Sequence, residues 1–249
     1  MKVLKFGGTS VGTVESLQNG NMIVEGLEEP AVVVVSALGG LTDKLIATAK
    51  KAAEADDSYS GDMEAIRRRH HDVVAGVIAK ELQGECLDKV NPLLDELQRL
   101  YDGVRLISLL PEKTLDAIVS YGERISSIIV SMMVKGASHI DSTKVVKTEK
   151  WFGKNIADTK LTNSNILSNF HPETGHPVIA GGFISTDRDS GEITNLGRGG
   201  SDFTAALIAA ALDAEVLEIW TDVDGFMTSD PRIIKDARII PLMSFVESM

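Results

Sequence analysis

The stretch Ala31-Val32-Val33-Val34-Val35-Ser36 is almost entirely apolar and β-branched, and the pair Gly39-Gly40 follows it closely. Such a run predicts a central strand of a parallel sheet, because these strands are covered on both faces and show no polar alternation. The glycine pair predicts a tight loop, and the spacing of Leu45 and Ala49 predicts a helix beyond it. Strand, glycine loop and helix in this order indicate an α/β fold whose ligands bind beyond the carboxyl ends of the strands.

The same unit opens the chain, where residues 3–6 predict a strand, residues 7–12 a glycine loop and Thr13 a helix N-cap. Further strands are predicted at 143–146, 177–184 and 215–220, a helix at 159–170, a hairpin tip at 187–191 and a capped helix start at 229–232. Between about 56 and 136 the strand signal vanishes and apolar residues recur at helical spacing. We therefore expect a three-layer αβα sandwich with a mainly parallel central sheet and a helical insertion around 56–136, as one catalytic domain over residues 1–249.

A second glycine-rich stretch, Leu196-Gly197-Arg198-Gly199-Gly200-Ser201-Asp202, runs directly into an apolar helical segment. Glycines permit backbone conformations closed to other residues, Arg198 supplies a planar cation, and Ser201 is a good helix N-cap. The free amides and the positive end of the helix dipole then favour an anion at this turn. Asp202 lies in the same field, so it is expected to be ionised and able to orient an ammonium, a metal or a nucleophile.

Three glycine turns follow predicted strands, at Gly7-Gly8, at Gly39-Gly40 and at 197–200, with Lys5 and Arg198 as nearby cations. Several phosphate-cradling loops with few cations favour phosphoryl transfer, in which positioning and charge neutralisation do most of the work. No catalytic histidine accompanies them, which suits an acceptor that is already an anion, such as a carboxylate. The sequence contains neither a Walker A motif nor the usual dinucleotide-binding glycine fingerprint.

Composition excludes several classes of partner. The formal net charge of −11 argues against general nucleic-acid or anionic-membrane binding. No segment has the length and apolarity of a membrane helix, and a single cysteine, Cys86, favours a reducing compartment, so a cytoplasmic protein is expected.

The basic run at 67–71 is interpreted as a solvated helix face, and the remaining histidines show no metal-ligand spacing, so no protein-held metal site is expected.

Five motifs together give a specific resemblance. They are Lys5-Phe6-Gly7-Gly8-Thr9-Ser10, the loop at 36–43, Ser120-Tyr121-Gly122-Glu123, the stretch at 197–202, and Trp220-Thr221-Asp222-Val223-Asp224-Gly225 with Asp230-Pro231-Arg232. In this order they resemble the aspartate kinases of the amino acid kinase family. The resemblance implies transfer of the ATP γ-phosphate to the β-carboxylate of L-aspartate, giving 4-phospho-L-aspartate for lysine, threonine and methionine biosynthesis, with Mg²⁺ carried mainly by the ATP phosphates.

The resemblance also implies roles for individual residues. Lys5 and Asp202 would be catalytic, with Lys5 stabilising the transferring phosphoryl group. The aspartate site would comprise Thr42, Glu123, Arg198, Gly199, Gly200 and Ser201, with Arg198 on a carboxylate and Glu123 and Asp202 near the ammonium. The nucleotide site would comprise Lys5, Phe6, Gly7, Gly8, Thr221, Asp222, Phe226 and Arg232; the family usually has tyrosine where Phe226 stands.

The family pattern continues beyond Met249 with a pocket-closing segment and regulatory ACT domains, and some members add a homoserine dehydrogenase domain. We therefore expect a catalytic domain cut short at its C-terminal end, weakly active or inactive alone, from a protein that is a homodimer or a higher homo-oligomer. Two other interpretations remain open. One is a nucleotide-binding module without catalysis, and the other is a sibling kinase that acts on a different carboxylate or phosphate acceptor.

Overall fold

The fold is that of a computed structural model, which describes residues 1–231 and 233–248. The strands are β1 (Lys2–Phe6), β2 (Ala31–Val35), β3 (Ser138–Ile140), β4 (Lys147–Trp151), β5 (Lys154–Ala157), β6 (Val178–Gly181), β7 (Ile184–Asp187), β8 (Ile193–Asn195) and β9 (Val216–Trp220). The helices are α1 (Val14–Glu25), α2 (Leu41–Ala53), α3 (Tyr59–Val77), α4 (Gln83–Ile107), α5 (Glu112–Met133), α6 (Ser142–Val145), α7 (Thr159–Asn169) and α8 (Gly200–Ala211).

The central sheet has the strand order β3-β6-β2-β1-β9, and every neighbouring pair is parallel. All five residues of β2 are buried, as the unbroken apolar run predicts. Val33 and Val35 pack into one hydrophobic core, which contains helices α1 to α5, whereas Val32 and Val34 pack into a second core with α7 and α8. The predicted three-layer sandwich is therefore confirmed.

The predicted insertion between residues 56 and 136 is also confirmed, because this part of the chain forms helices α3, α4 and α5. The largest side chain in its core is Tyr101, which is fully buried and donates a hydrogen bond from its hydroxyl to the backbone carbonyl of Leu45 (3.1 Å). Helix α5 is buried along much of its length and packs against strands β2 and β6. The insertion is thus attached to the central sheet as well as to α2.

A smaller mixed sheet, in the order β5-β4-β7-β8, lies beside the central one. The chain passes from the central sheet to this second sheet between β6 and β7, through Gly182 and Phe183. Gly182 donates a hydrogen bond to the carbonyl of Val35 (2.8 Å), and Phe183 has a positive φ of 66°. Strands β7 and β8 form the predicted antiparallel hairpin, which leads directly into the stretch that begins at Leu196.

Three local predictions are wrong. Residues 143–146 lie in and next to the short helix α6 instead of a strand, because the Asp141 carboxylate accepts the Thr143 amide and caps the helix. The single strand predicted at 177–184 is two strands in different sheets. No helix begins at residues 229–231, and Arg232 lies outside the described residues.

Candidate functional site

A cavity of about 310 Å³ lies at the carboxyl edge of the central sheet. The residues that line it are Lys5, Ser36, Thr42, Glu123, Phe183, Gly197, Arg198, Gly199, Gly200, Ser201 and Asp202. Strands β1, β2 and β6 all end at this edge because they are parallel, so residues far apart in sequence meet there. The cavity brings together every residue predicted for the acceptor site.

Two helices begin at the cavity in the same way. Gly40 precedes α2 with φ of 73°, and Gly199 precedes α8 with φ of 75°; neither helix has a side-chain N-cap. The prediction that Ser201 caps α8 is therefore wrong, because the helix already begins at Gly200. Glycine serves at both positions because the left-handed conformation is costly for other residues. Helix N-termini carry unpaired amides and positive partial charge, so this cavity suits a ligand with anionic groups.

Lys5 and Asp202 form an ion pair at the floor of the cavity. The Lys5 ammonium lies 2.8 Å from the Asp202 carboxylate, and the lysine side chain is largely buried whereas the aspartate is half exposed. Lys5 is the last but one residue of β1, and Asp202 lies in the first turn of α8. The pair therefore holds the Lys5 ammonium directly beside the third glycine loop.

Glu123 is a buried carboxyl group in the middle of helix α5. Burial raises its pKa to about 8, although the Ala37 backbone amide donates a hydrogen bond that acts in the opposite direction. Its Oε2 atom has no hydrogen-bond partner among the described residues. With this pKa the acid is neutral at pH 7, and a cation placed beside it would favour the charged carboxylate.

Helix α5 approaches the second glycine loop closely enough to need a glycine next to Glu123. A Cβ atom at Gly122 would lie 2.6 Å from the Cβ of Ala37. Gly122 lies inside a helix that the sequence predicts. A glycine there lowers helix stability by about 1 kcal/mol relative to alanine, unless something packs closely against the backbone. The contact with Ala37 is the structural reason for it.

Arg198 is exposed at the rim and makes no ion pair within residues 1–231 and 233–248. Its guanidinium can therefore bind an incoming carboxylate in a bidentate manner. Glu123, Asp202 and Arg198 together offer two carboxyl groups and one free cation in a single cavity. This combination suits a ligand that carries both an ammonium and carboxylates.

The residues predicted for the nucleotide lie partly outside the cavity. Gly7 donates its amide to the Trp220 carbonyl (3.0 Å), and Phe6 stacks on the Trp220 ring, so the ends of β1 and β9 are joined. Thr221, Asp222 and Phe226 are exposed beyond the end of β9 and do not line the cavity. Their assignment to a nucleotide site stays a prediction, as does that of Arg232.

Sequence reasoning missed three residues at this site. Ser36 and Phe183 line the cavity, and the positive φ of Phe183 is the kind of strained geometry that occurs at functional sites. Arg69, which was interpreted as part of a solvated face, instead donates hydrogen bonds to the carbonyls of Gly12 and Gly39. His70 in the same run is fully buried, and burial lowers its pKa to about 4.

Comparison with known proteins agrees with this architecture. The sequence profile of the Amino acid kinase family matches residues 1–249. The chain belongs to the amino acid kinase family. Within the family, it is 32% identical over 256 residues to lysine-sensitive aspartokinase 3 of Escherichia coli, covering 99% of this chain and 54% of that protein. It is 30% identical to the chloroplastic aspartokinase 1 of Arabidopsis thaliana, covering 99% of this chain and 44% of that protein.

Solved structures in the family show the same fold. The chain is similar to E. coli aspartokinase III in complex with aspartate and ADP, with a TM-score of 0.85 and 30% identity over 96% of this chain and 53% of that one. It is also similar to the complex of that enzyme with lysine and aspartate, with a TM-score of 0.79. This chain spans about half the length of these relatives. None of its described helices has the length and apolarity needed to cross a membrane.

Proposed function

We propose that the protein is an aspartate kinase, which transfers the γ-phosphoryl group of ATP to the β-carboxylate of L-aspartate. One observation carries the proposal: a single cavity holds the Lys5–Asp202 ion pair, the buried acid Glu123 and the unpaired guanidinium of Arg198. These groups complement the two carboxylates and one ammonium of aspartate. The similarity to aspartokinases supports the same substrate.

In this proposal the aspartate is held by its charges. Arg198 binds a carboxylate, while Glu123 and Asp202 face the ammonium. An ammonium bound beside the buried Glu123 favours the ionised carboxylate, so the pKa of Glu123 falls and it releases a proton. Thr42, Gly199, Gly200 and Ser201 line the same space at two helix N-termini, where amides suit a carboxylate.

The chemical step needs no general base. The β-carboxylate is ionised at neutral pH, and one of its oxygens attacks the γ-phosphorus as the bond to the ADP oxygen breaks. Lys5 stabilises the charge on the transferring phosphoryl oxygens, with the amides of Gly7 and Gly8 beside it. Asp202 already holds the Lys5 ammonium in place (2.8 Å), which orients the cation before ATP binds.

The nucleotide and its magnesium bind on the other side of the transferring phosphoryl group in this proposal. Thr221, Asp222, Phe226 and Arg232 are assigned to the nucleotide side, with Phe226 available for stacking. The described residues contain no group of three or more histidine, cysteine or acidic side chains that could hold a metal. In the proposal Mg²⁺ would be held mainly by ATP phosphates and water, and it would neutralise charge on the β- and γ-phosphates.

Two measurements on the protein test this function. Calorimetry with L-aspartate and a non-hydrolysable ATP analogue measures binding, and trapping of the acyl phosphate with hydroxylamine in the presence of Mg-ATP measures transfer. Arg198→Ala is expected to weaken aspartate binding by about tenfold or more, in line with loss of a charge-assisted contact. Binding of N-acetylglutamate or a phosphate acceptor in preference to aspartate would instead identify a sibling kinase.

The same measurements separate catalysis from binding. A protein that binds both ligands and forms no hydroxamate is the non-catalytic module, whereas one that binds no aspartate contradicts the proposal outright. The expected weak activity stays a prediction, which the rate of hydroxamate formation checks.

We also propose a reducing compartment such as the cytoplasm, since Cys86 is the single cysteine and has no partner for an internal disulfide. The homodimer or higher oligomer implied by the family stays a prediction, which light scattering of the purified protein checks.

A further inference from the structure

The glycine loops after β1 and β2 touch each other through bare backbone. A Cβ atom at Gly39 would lie 2.9 Å from the carbonyl oxygen of Gly8, and one at Gly12 would lie 3.1 Å from the same oxygen. No side chain of the two loops fits between them. Packing of this kind brings little attraction of its own, because glycine backbone buries little apolar surface and loses much conformational entropy on ordering.

Arg69 of helix α3 connects the two loops. Its Nη2 atom donates to the carbonyl of Gly12 (3.1 Å) and to that of Gly39 (2.7 Å), and the side chain is partly buried. Both acceptors lie in loops next to the cavity, although Arg69 itself does not line the cavity. A single guanidinium from the helical insertion thus binds the first and the second glycine loop at once.

Helix α3 is itself fixed on both sides of Arg69. Asp62, one heptad earlier, forms ion pairs with Lys44 (2.6 Å) and Lys51 (2.7 Å) of α2. Gly76, one heptad later, lies so close to α1 that a Cβ atom would meet a methyl group of Val14 at 2.5 Å. Residues seven apart lie on the same face of a helix, so one face of α3 contacts α2, the loops and α1 in turn.

The hydrogen bond to Gly39 also fixes a neighbouring amide. In a trans peptide the carbonyl and the next N–H point in opposite directions, so holding the Gly39 carbonyl turns the Gly40 N–H away from Arg69. Gly40 immediately precedes α2, whose first turn contributes Thr42 to the cavity. Arg69 therefore holds the peptide group that joins Gly39 to Gly40, directly before the first turn of α2.

We propose that Arg69 is a positioning residue of the site, which holds the first two glycine loops in register from the helical insertion. The catalytic part of this inference rests on the proposed kinase function. Misplacement of reacting groups by about 1 Å lowers rates by about a hundredfold. We therefore expect Arg69→Gln to lower kcat by roughly ten- to a hundredfold, with a smaller change in KM for aspartate.

The test compares Arg69→Gln with Arg68→Gln, which removes the neighbouring exposed arginine from the same helix. Amide hydrogen exchange followed by mass spectrometry is measured on peptides that cover residues 7–13 and 37–42. Arg69→Gln is expected to raise exchange in both segments more than in the remaining peptides of the same variant, and Arg68→Gln in neither. Equal exchange in wild type and folded Arg69→Gln would overturn the inference, as would the same increase in both variants.

Two additions keep the test decisive. If Arg69→Gln does not fold, Arg69→Lys keeps the charge but loses the guanidinium, and its exchange in the two segments is expected to be raised as well; wild-type exchange in this variant counts against the inference. Added methylguanidinium is expected to raise the lowered kcat of Arg69→Ala and to leave the normal kcat of Arg68→Ala unchanged. If the wild-type protein neither binds L-aspartate nor forms hydroxamate, the proposed function fails, while hydrogen exchange still decides the role of Arg69.

Discussion

Replacing Glu123 by glutamine is expected to stabilise the protein in a pH-dependent way. The carboxyl group has a pKa of 4.5 in the unfolded chain and of about 8 in the folded one, because the folded site desolvates it. Between these values the native state holds a proton that the unfolded state has lost, so the free energy of unfolding of the wild type falls as pH rises. Glutamine resembles the neutral acid in shape and can keep the hydrogen bond from the Ala37 amide, yet it does not titrate.

The size of the effect follows from the two pKa values. At pH 7 the wild type is destabilised relative to glutamine by the cost of protonating a carboxylate 2.5 pH units above its unfolded pKa, which is about 3 kcal/mol. The difference falls to below about 1 kcal/mol at pH 5 and reaches its limit, about 5 kcal/mol, above pH 8. The buried acid therefore lowers the free energy of unfolding at neutral pH.

Urea unfolding of wild type and Glu123→Gln at pH 5, 6, 7 and 8 measures this difference directly. Glu64→Gln, which changes an exposed glutamate on helix α3, is the matched control and is expected to show no such pH dependence. A gap between wild type and Glu123→Gln that stays constant from pH 5 to pH 8 would refute the reasoning. Calorimetry on the same variant is expected to show weaker aspartate binding in the more stable protein.

Three further changes probe other parts of the structure. Lys5→Met is expected to reduce hydroxamate formation by about a hundredfold or more while the protein stays folded, and near-normal turnover would count against its assigned role. Gly39→Ala forces a methyl group against the Gly8 carbonyl, so it should lower the free energy of unfolding by roughly 1–3 kcal/mol, whereas Gly84→Ala in open space on α4 should not destabilise; urea unfolding compares the two. Tyr101→Phe removes a buried hydrogen bond to a carbonyl of α2 and should cost about 1 kcal/mol by the same assay, with no effect on aspartate binding.

Much of the fold could be predicted from the sequence because its signals are local. The apolar run of β2 and the capping residue Thr13, whose hydroxyl accepts the Ser16 amide, are present in short stretches of sequence, and the structure places both as predicted. The strand predicted at 143–146 failed because an N-cap at Asp141 outweighs β-branched composition over so short a segment. The break at Gly182 and Phe183 was missed because only tertiary contacts determine where one sheet ends and the other begins.

The residues of the cavity show the same difference between local sequence signals and tertiary contacts. Residues in glycine-rich motifs at strand ends could be identified, since the topology of a parallel sheet brings those ends together. The contribution of Arg69 could not, because a basic run on a helix has the same pattern whether it faces water or a backbone carbonyl. Ser36 is an ordinary strand-end residue in sequence, and only the position of the cavity distinguishes it.

The crossing of the chain at Gly182 and Phe183 means that the two sheets position different residues of the cavity. The loop that carries Arg198 is the continuation of the β7–β8 hairpin, and Leu196 donates its amide to the Phe183 carbonyl at the crossing. The loop that carries Arg198 is thus held by the small sheet, whereas Lys5 lies on a strand of the large one. Substitutions in the small sheet can therefore shift the position of Arg198 while the hydrophobic core of the parallel sheet, and the lysine at its edge, stay unchanged.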